Sequence, residues 1–240
     1  MKNISIIFPL YNEEKRIKKL FKGIKNFKKK GNKKSFELIF VDDGSVDNTT
    51  KKIKDFLKSN KIPGYKFQLI ESKKNFGKGH ALKVGVNKAS YNWIFTMDAD
   101  LAVEMDQITK WLKKYQFKNN YAYFGSRNLP QSTKKYKYYR RIIGEIWQSL
   151  VFLFVDSKIK DTQCGFKFYN KNYAKRVFGS LTEYGFAHDM ELIFLLKKQR
   201  IKIKELPVSW KHIDGSKLNP FFEPINFFFK FLGLLIKYKI

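Results

Sequence analysis

The chain has 240 residues, enough for one domain with at most a small appendage, and its 43% hydrophobic and 17% aromatic content excludes intrinsic disorder. Lysine and arginine number 49 against 21 acids, and the net charge of +28 asks for an anionic partner: nucleic acid, a membrane surface or a phosphorylated substrate. One cysteine, Cys164, and three histidines rule out an intrachain disulfide, argue against a closed Cys/His zinc site and fit a reducing compartment.

Met1-Lys2-Asn3 leads into Ile4–Phe8, an apolar run too short for a secretory h-region, which reads as a buried strand ended by Pro9. Glu13 to Phe27 follows as a helix with Ile17, Leu20, Phe21, Ile24 and Phe27 at helical spacing, and Lys28–Lys34 is a solvated loop. Phe36–Val41 is a second strand, Thr49–Asn60 a helix, Tyr65–Ser72 a third strand, Gly79–Ala89 a helix and Trp93–Met97 a fourth strand. Further along, Tyr121–Gly125 and Lys167–Tyr169 read as strands, Lys134–Arg141 as a basic, tyrosine-rich loop and Ile142–Val155 as an apolar segment. Glu191–Lys198 is helical, Ile201–Leu206 a strand and Phe221–Ile240 an aromatic, lysine-studded tail. Strands alternating with helices predict βαβ units, an α/β fold and a parallel sheet.

In such sheets ligands bind beyond the carboxyl ends of the strands. Tyr11-Asn12-Glu13, Asp42-Asp43 and Asp98/Asp100 follow strands one, two and four, so acidic groups converge on one edge. Asp98 and Asp100, spaced i and i+2 past a strand, suit one hard divalent cation, Mg²⁺ or Mn²⁺, able to clamp a diphosphate. An exposed acidic turn is the alternative. An Asp of the Asp42-Asp43-Gly44-Ser45 turn can accept from a nucleobase N–H or ribose hydroxyl, or cap the next helix; the two neighbours allow one Asp for each job.

Asn75-Phe76-Gly77-Lys78-Gly79 places a glycine-bearing loop and Lys78 before a helix, where phosphate can be met, but without the spacing of a Walker motif or a dinucleotide fingerprint. Arg127, Arg140, Arg141, Lys211 and Lys217 are candidates for phosphate contact among many surface cations. Asp161 precedes a polar turn and could take a proton; Asp189, just ahead of a helix, is either a base or an N-terminal cap. Cys164 has no recognisable base and reads as a packed turn residue.

Phe8-Pro9-Leu10-Tyr11-Asn12-Glu13, Val41-Asp42-Asp43-Gly44-Ser45, Met97-Asp98-Ala99-Asp100 and Gly125-Ser126-Arg127 occur in the order found in family 2 glycosyltransferases, which the chain resembles over roughly residues 3 to 218. Asp161-Thr162-Gln163-Cys164-Gly165-Phe166-Lys167, Asp189-Met190-Glu191-Leu192 and Trp210 with Gly215-Ser216-Lys217-Leu218 look like the dolichyl-phosphate β-glucosyltransferase branch. Dolichyl-phosphate mannose synthases and bacterial polyprenyl-phosphate glycosyltransferases share much of the pattern. The resemblance implies a GT-A fold with a Rossmann-like, mostly parallel sheet: residues 1–218 the catalytic domain, 219–240 a membrane-associating or packing segment. It further implies that Pro9, Tyr11, Glu13 and Asp43 line the nucleotide pocket, that Asp98 and Asp100 hold the metal and donor diphosphate, and that Arg127, Arg140 and Lys217 contact phosphates of donor or acceptor. Ala102 stands where the family often has a ligating or polar side chain, and Lys211 where mannose synthases tend to carry arginine.

The implied reaction moves a hexose, glucose favoured, from a nucleotide sugar, UDP-glucose favoured, to a polyprenyl phosphate with inversion at the anomeric carbon. An acceptor phosphate with a second pKa of about 6 needs positioning more than deprotonation, which leaves Asp161 and Asp189 optional as bases. The apolar run from Phe221 to Ile236 is interrupted by Glu223, Pro224, Asn226 and Lys230, so a surface-bound placement on the cytoplasmic face is expected rather than a span. Phe221, Phe222, Phe227, Phe228, Phe229, Phe231, Leu232, Leu234, Leu235 and Ile236 with Lys230, Lys237 and Lys239 suit an anionic interface, and Trp147 in Ile142–Val155 suits the headgroup zone; packing on the core or in a dimer is the alternative. Two other functions compete: a family 2 enzyme with a soluble or polysaccharide acceptor, and a basic nucleic-acid-binding protein, disfavoured because its cations are scattered and no recognition motif occurs.

Overall fold

A computed structural model describes residues 3–29, 35–135, 159–185, 187–213 and 222–238. In chain order the elements are β1 (Asn3–Leu10), α1 (Ile17–Lys29), β2 (Ser35–Asp42), α2 (Thr49–Ser59), β3 (Tyr65–Glu71), α3 (Lys78–Lys88), β4 (Trp93–Thr96), α4 (Asp106–Lys114), β5 (Tyr121–Ser126) and β6 (Thr133–Lys135). They continue with β7 (Lys167–Asn170), α5 (Lys171–Gly179), α6 (His188–Lys198), β8 (Lys202–Pro207), β9 (Ser209–Lys211) and α7 (Phe222–Tyr238). Seven strands form one sheet in the order β3-β2-β1-β4-β7-β5-β8, and β6 and β9 pair separately. Among the described strands of this sheet, only β7 runs antiparallel, against both β4 and β5. The expected mostly parallel α/β architecture is therefore present.

Strands covered on both faces read as continuous apolar runs. Along β1, Ile4, Ile6 and Phe8 pack on one side with Ile17, Leu20 and Ile24 of α1, while Ile7 packs on the other with Ala81 and Val86 of α3. The second layer also takes Val177 of α5, Leu192 of α6 and Phe231 of α7.

Several boundaries differ from the sequence reading. α1 begins at Ile17, not Glu13, because the Glu13 carbonyl accepts from both Arg16 and Ile17 in a turn. α4 and α5 were not foreseen, Lys134 and Lys135 belong to β6 rather than a loop, and α6 begins at His188 rather than Glu191. α7 is amphipathic in an unexpected sense: Lys230 and Lys237, expected at a headgroup surface, turn inward to Glu183 and Glu191 at 2.8 and 2.6 Å. Phe231, Leu234 and Leu235, expected at the interface, instead pack on the core, while Phe229 and Ile236 stay 66% and 80% exposed. Ile142–Val155 with Trp147, and Lys239, lie outside the described residues. Among the described residues, no helix is long and apolar enough to cross a membrane.

Strand register then sets the site. Leu10 lies beside Asp42, and Ile7 beside Thr96, so β1, β2 and β4 end at one edge. Backbone bonds from Asp43 N to Leu10 O (2.8 Å) and Met97 N to Ile7 O (3.1 Å) carry the ladder into the acidic loops.

Candidate active site

The turn after β4 is tightly specified. Leu101 N bonds Asp98 O at 3.2 Å and Ala102 N bonds Asp100 Oδ1 at 2.9 Å. Leu101 adopts φ +52°, a left-handed conformation that costs a non-glycine residue about 1 kcal/mol or more. Packing secures it: a Cβ at Gly23 of α1 would fall 2.4 Å from Leu101 Cδ1, and Lys19 Nζ bonds Asp100 O at 2.7 Å. Lys78 Nζ sits 2.5 Å from Asp98 Oδ1. Burial, then the Asp98 charge, pushes the Asp100 carboxyl above its ordinary range. Burial opposes the Lys78 charge, but Asp98, Asp189 and Asp100 outweigh it and raise its pKa.

Two carboxylates sharing one turn, the charge of one raising the pKa of the other, fit a hard divalent cation. Among the described residues no cluster of three or more His, Cys, Asp or Glu could hold a metal, and Ala102 contributes only its N–H to Asp100. Donor oxygens and water would have to complete any coordination shell.

The second acidic turn divides its roles. Asp42 Oδ1 accepts from Ser45 N (3.2 Å) and the Ser45 hydroxyl, and Oδ2 from the Thr50 hydroxyl, so this residue organises the turn into α2. Asp43 Oδ2 accepts from Phe76 N and Gly77 N at 3.0 and 2.6 Å. Its Oδ1 is buried without a hydrogen-bond partner, 3.5 Å from His80 Nδ1. An orphaned buried carboxylate oxygen is costly unless a ligand N–H or O–H meets it. Gly77, at φ +109°, brings the loop so close that a Cβ would lie 2.4 Å from Tyr184 O.

Pro9 and Tyr11 are half-buried at the end of β1 and just beyond it. Glu13 is buried, with its N–H on Thr49 Oγ1 (2.7 Å) and its carboxylate gripped by Arg16 at 2.7 and 2.5 Å. Arg16 was not singled out from sequence, yet after burial and Glu13 the next charges acting on it are Asp100 and Asp98. It belongs to the electrostatics of the Asp98–Asp100 turn.

Arg127 faces Asp98 across a pocket that Gln163, Gly165 and Trp210 also line. Asp161 accepts from Arg127 N (2.9 Å), Nε (2.7 Å) and Nη2 (2.8 Å), and Glu205 accepts from Asp161 N at 2.8 Å. The guanidinium also stacks 5.7 Å from the Trp210 ring. Asp161 and Arg127 therefore form one unit, with the acid fixing the fork. Burial and the Asp161 charge push the Cys164 thiol up to about 12, in keeping with a packed rather than nucleophilic role.

Asp189 is the second residue of α6, behind Ala187 in the cap position, and receives the buried Lys167 ammonium; the cap reading is corrected. Burial opposes its charge, but His188, Lys167 and Lys78 hold the carboxyl below its ordinary range. Lys211 sits at the rim, ion-paired with Glu104 at 3.1 Å, its N–H on Ala102 O at 2.8 Å. Arg140, Arg141 and Lys217 lie outside the described residues. Lys167 and Gly165 were missed as supports; the Asp161–Lys167 motif contained both, but only the fold brings Gly165 against Asp98.

Comparison with known proteins now adds ancestry. The family model described as Glycosyl transferase family 2 matches residues 5–178. A dolichyl-phosphate beta-glucosyltransferase of Dictyostelium discoideum is 34% identical over 233 residues, covering 93% of this chain and 71% of the relative. The Homo sapiens protein of that name is 34% identical over 231 residues, covering 92% and 71%. Among solved structures, glucosyl-3-phosphoglycerate synthase from Mycobacterium tuberculosis in complex with Mg²⁺ and uridine diphosphate superposes with a TM-score of 0.69 at 13% identity, over 99% of this chain and 79% of that one. A mannosyltransferase from Pyrobaculum calidifontis in complex with GDP-Man and Mn²⁺ gives 0.60 at 16%, over 89% and 57%. Both likenesses establish the fold alone. With the family match spanning more than half its length, on a sheet end that assembles Asp43, Asp98 and Asp100, this chain belongs to glycosyl transferase family 2 and is a glycosyltransferase.

Proposed function

We propose that this enzyme transfers a hexose, glucose favoured, from a nucleotide sugar, UDP-glucose favoured, to a polyprenyl (dolichyl-type) phosphate, inverting the anomeric carbon, while lying peripherally on the cytoplasmic face of a membrane. One observation carries the reading: Asp98, on the diphosphate side, faces the same pocket as the Arg127 fork, on the acceptor-phosphate side. Likeness to dolichyl-phosphate beta-glucosyltransferases over most of the chain supports the choice of lipid and sugar.

In this reading the nucleoside enters beside Pro9, Tyr11 and Glu13, with its base N–H on the orphaned Asp43 Oδ1. Asp98 and Asp100 would hold a divalent cation, which would supply positive charge to the departing diphosphate. Lys78 adds a further positive charge at the diphosphate. Arg127, with Arg140, Arg141, Lys211 and Lys217 as further cations, receives the acceptor phosphate. An ionised phosphate oxygen donates its lone pair to C1 of the sugar from the face opposite the diphosphate. The C1–O bond to the diphosphate breaks, its electron pair leaves with the nucleotide, and the configuration inverts. The acceptor is already ionised at neutral pH, with a second pKa of about 6, so no protein base has to be free. Asp161, committed to Arg127 by three hydrogen bonds, acts by orienting that fork.

The outward stripe Phe228, Phe229, Leu232 and Ile236 of α7 supplies an interfacial contact, helped by the net charge of +28. Incubation with a panel of nucleotide sugars, Mg²⁺ or Mn²⁺ and undecaprenyl phosphate, followed by mass spectrometry of the lipid, tests the reaction. A hexosyl phospholipid formed best from UDP-glucose is expected; transfer only to a water-soluble acceptor would overturn it. Flotation of F229S/I236S with anionic liposomes should fall at least several-fold below wild type, and equal flotation would remove α7 from the membrane contact.

A further inference from the structure

Resting on the donor-site reading above, we propose that Lys78 is a place-holding cation. Before the nucleotide arrives its ammonium occupies Asp98, and the donor diphosphate draws it away, so that divalent cation and nucleotide load together rather than one by one.

The pair is built to open. Lys78 Nζ lies 2.5 Å from Asp98 Oδ1, with 26% and 40% of the two side chains exposed, whereas the structural pair Lys167–Asp189 nearby is 2% and 7% exposed. The main chain beneath Lys78 is fixed on both sides: Gly77 N bonds Asp43 Oδ2 at 2.6 Å and Gly79 N bonds Tyr184 O at 2.8 Å. Only the flexible lysine side chain has to move. A Cβ at Gly165 would fall 2.4 Å from Asp98 Oδ2, so this carboxylate is packed against main chain on one side while Lys78 takes the other oxygen.

The consequence is electrostatic. Asp98 is one of only two carboxylates in the proposed metal site, and a divalent ion entering there meets an ammonium already in place. Like charges a few ångströms apart oppose each other strongly in a partly buried site. A diphosphate relieves this by offering Lys78 a charge-assisted partner of its own. Metal and nucleotide then strengthen each other's binding by the same factor, as linkage requires.

Free Mn²⁺ measured by electron paramagnetic resonance, with and without UDP and with Mn²⁺–UDP in buffer subtracted, tests this on the full chain. Wild type should bind Mn²⁺ weakly alone and about tenfold or more tighter with UDP. K78M and K78Q should bind Mn²⁺ alone about tenfold or more tighter than wild type and gain less from UDP, while K78R should behave as wild type. Tighter binding is a gain that a misfolded variant does not produce. If UDP recruits Mn²⁺ to wild type but K78M and K78Q bind it alone no better than wild type, the place-holding role is overturned. If UDP recruits none to wild type, or D100N binds Mn²⁺ as wild type does, the acid-pair reading itself falls and the proposal with it.

Discussion

At the end of the sheet where β1 and β2 begin, Glu37 is buried yet accepts from Ser5 Oγ (2.6 Å), Ser90 N and Oγ (both 2.7 Å) and Gln68 Nε2 (2.8 Å). At the opposite end Asp43 keeps one buried oxygen without a hydrogen-bond partner, and burial with the Asp98 charge holds the Asp100 carboxyl above its ordinary range. Glu37 and Asp43 are both buried acids of the same sheet, and burial alone does not separate them. Hydrogen-bond satisfaction does. A carboxylate whose donors are all internal is held for the fold, whereas one with capacity to spare is held for something that binds.

The largest expected effect falls on the unsatisfied end. D100A should lower transfer by about 10³-fold or more while the melting temperature stays near that of wild type, because little internal bonding is lost. Near-normal turnover would place the cation elsewhere. The inverse is expected of E37A: a loss of about 3 kcal/mol in denaturant unfolding, from the donors of Ser5, Ser90 and Gln68 left unpaired, with activity per folded molecule unchanged. A reduced kcat in folded E37A would blur the distinction between the two ends.

Acid sharpens it further. Burial opposes the Glu191 charge, but N–H groups of Glu183 and Thr182, the Thr182 hydroxyl and Lys237 outweigh it and bring its pKa down to about 2. A carboxyl depressed below its unfolded value stabilises the fold above the unfolded pKa and loses that contribution as pH falls. Stability should therefore decline from about pH 4.5 down to about pH 2, less steeply in E191Q, as urea midpoints across that range would show. The smallest effect is expected for D43N: its amide would turn an NH₂ toward the ligand where Asp43 offers an acceptor. The KM for the donor should rise about tenfold with kcat less affected. An unchanged KM would mean that the orphaned oxygen does not meet the nucleoside.

The first half of this chain was open to reading because β1, β2 and β4 are continuous apolar runs with their polar groups collected at the carboxyl ends. Position in a parallel sheet then followed from element order. α4 was hidden because its buried residues, Gln107, Ile108 and Trp111, give only a brief periodic signal among charges. α5 was hidden because it begins directly where β7 ends, with Asn170 both closing the strand and capping the helix through Asn172 N at 3.0 Å. At the site, Asp43, Lys78, Asp98, Asp100 and Arg127 were visible from local motifs. Their partners were not: Asp161 meets Arg127 across 34 residues and Lys167 meets Asp189 across 22, distances over which composition carries no information. Arg16 was concealed by the assignment of residues 13–16 to helix, when the turn there is what aims it back at Glu13.

The most direct measurement is the anomalous scattering of Mn²⁺ in crystals soaked with a non-transferable UDP-glucose analogue. The account predicts a peak within about 2.2 Å of oxygens from both Asp98 and Asp100, bridged to the diphosphate, with the uracil N–H on Asp43 Oδ1. Nucleotide bound away from that sheet end, or a metal ligated by other side chains, would contradict it.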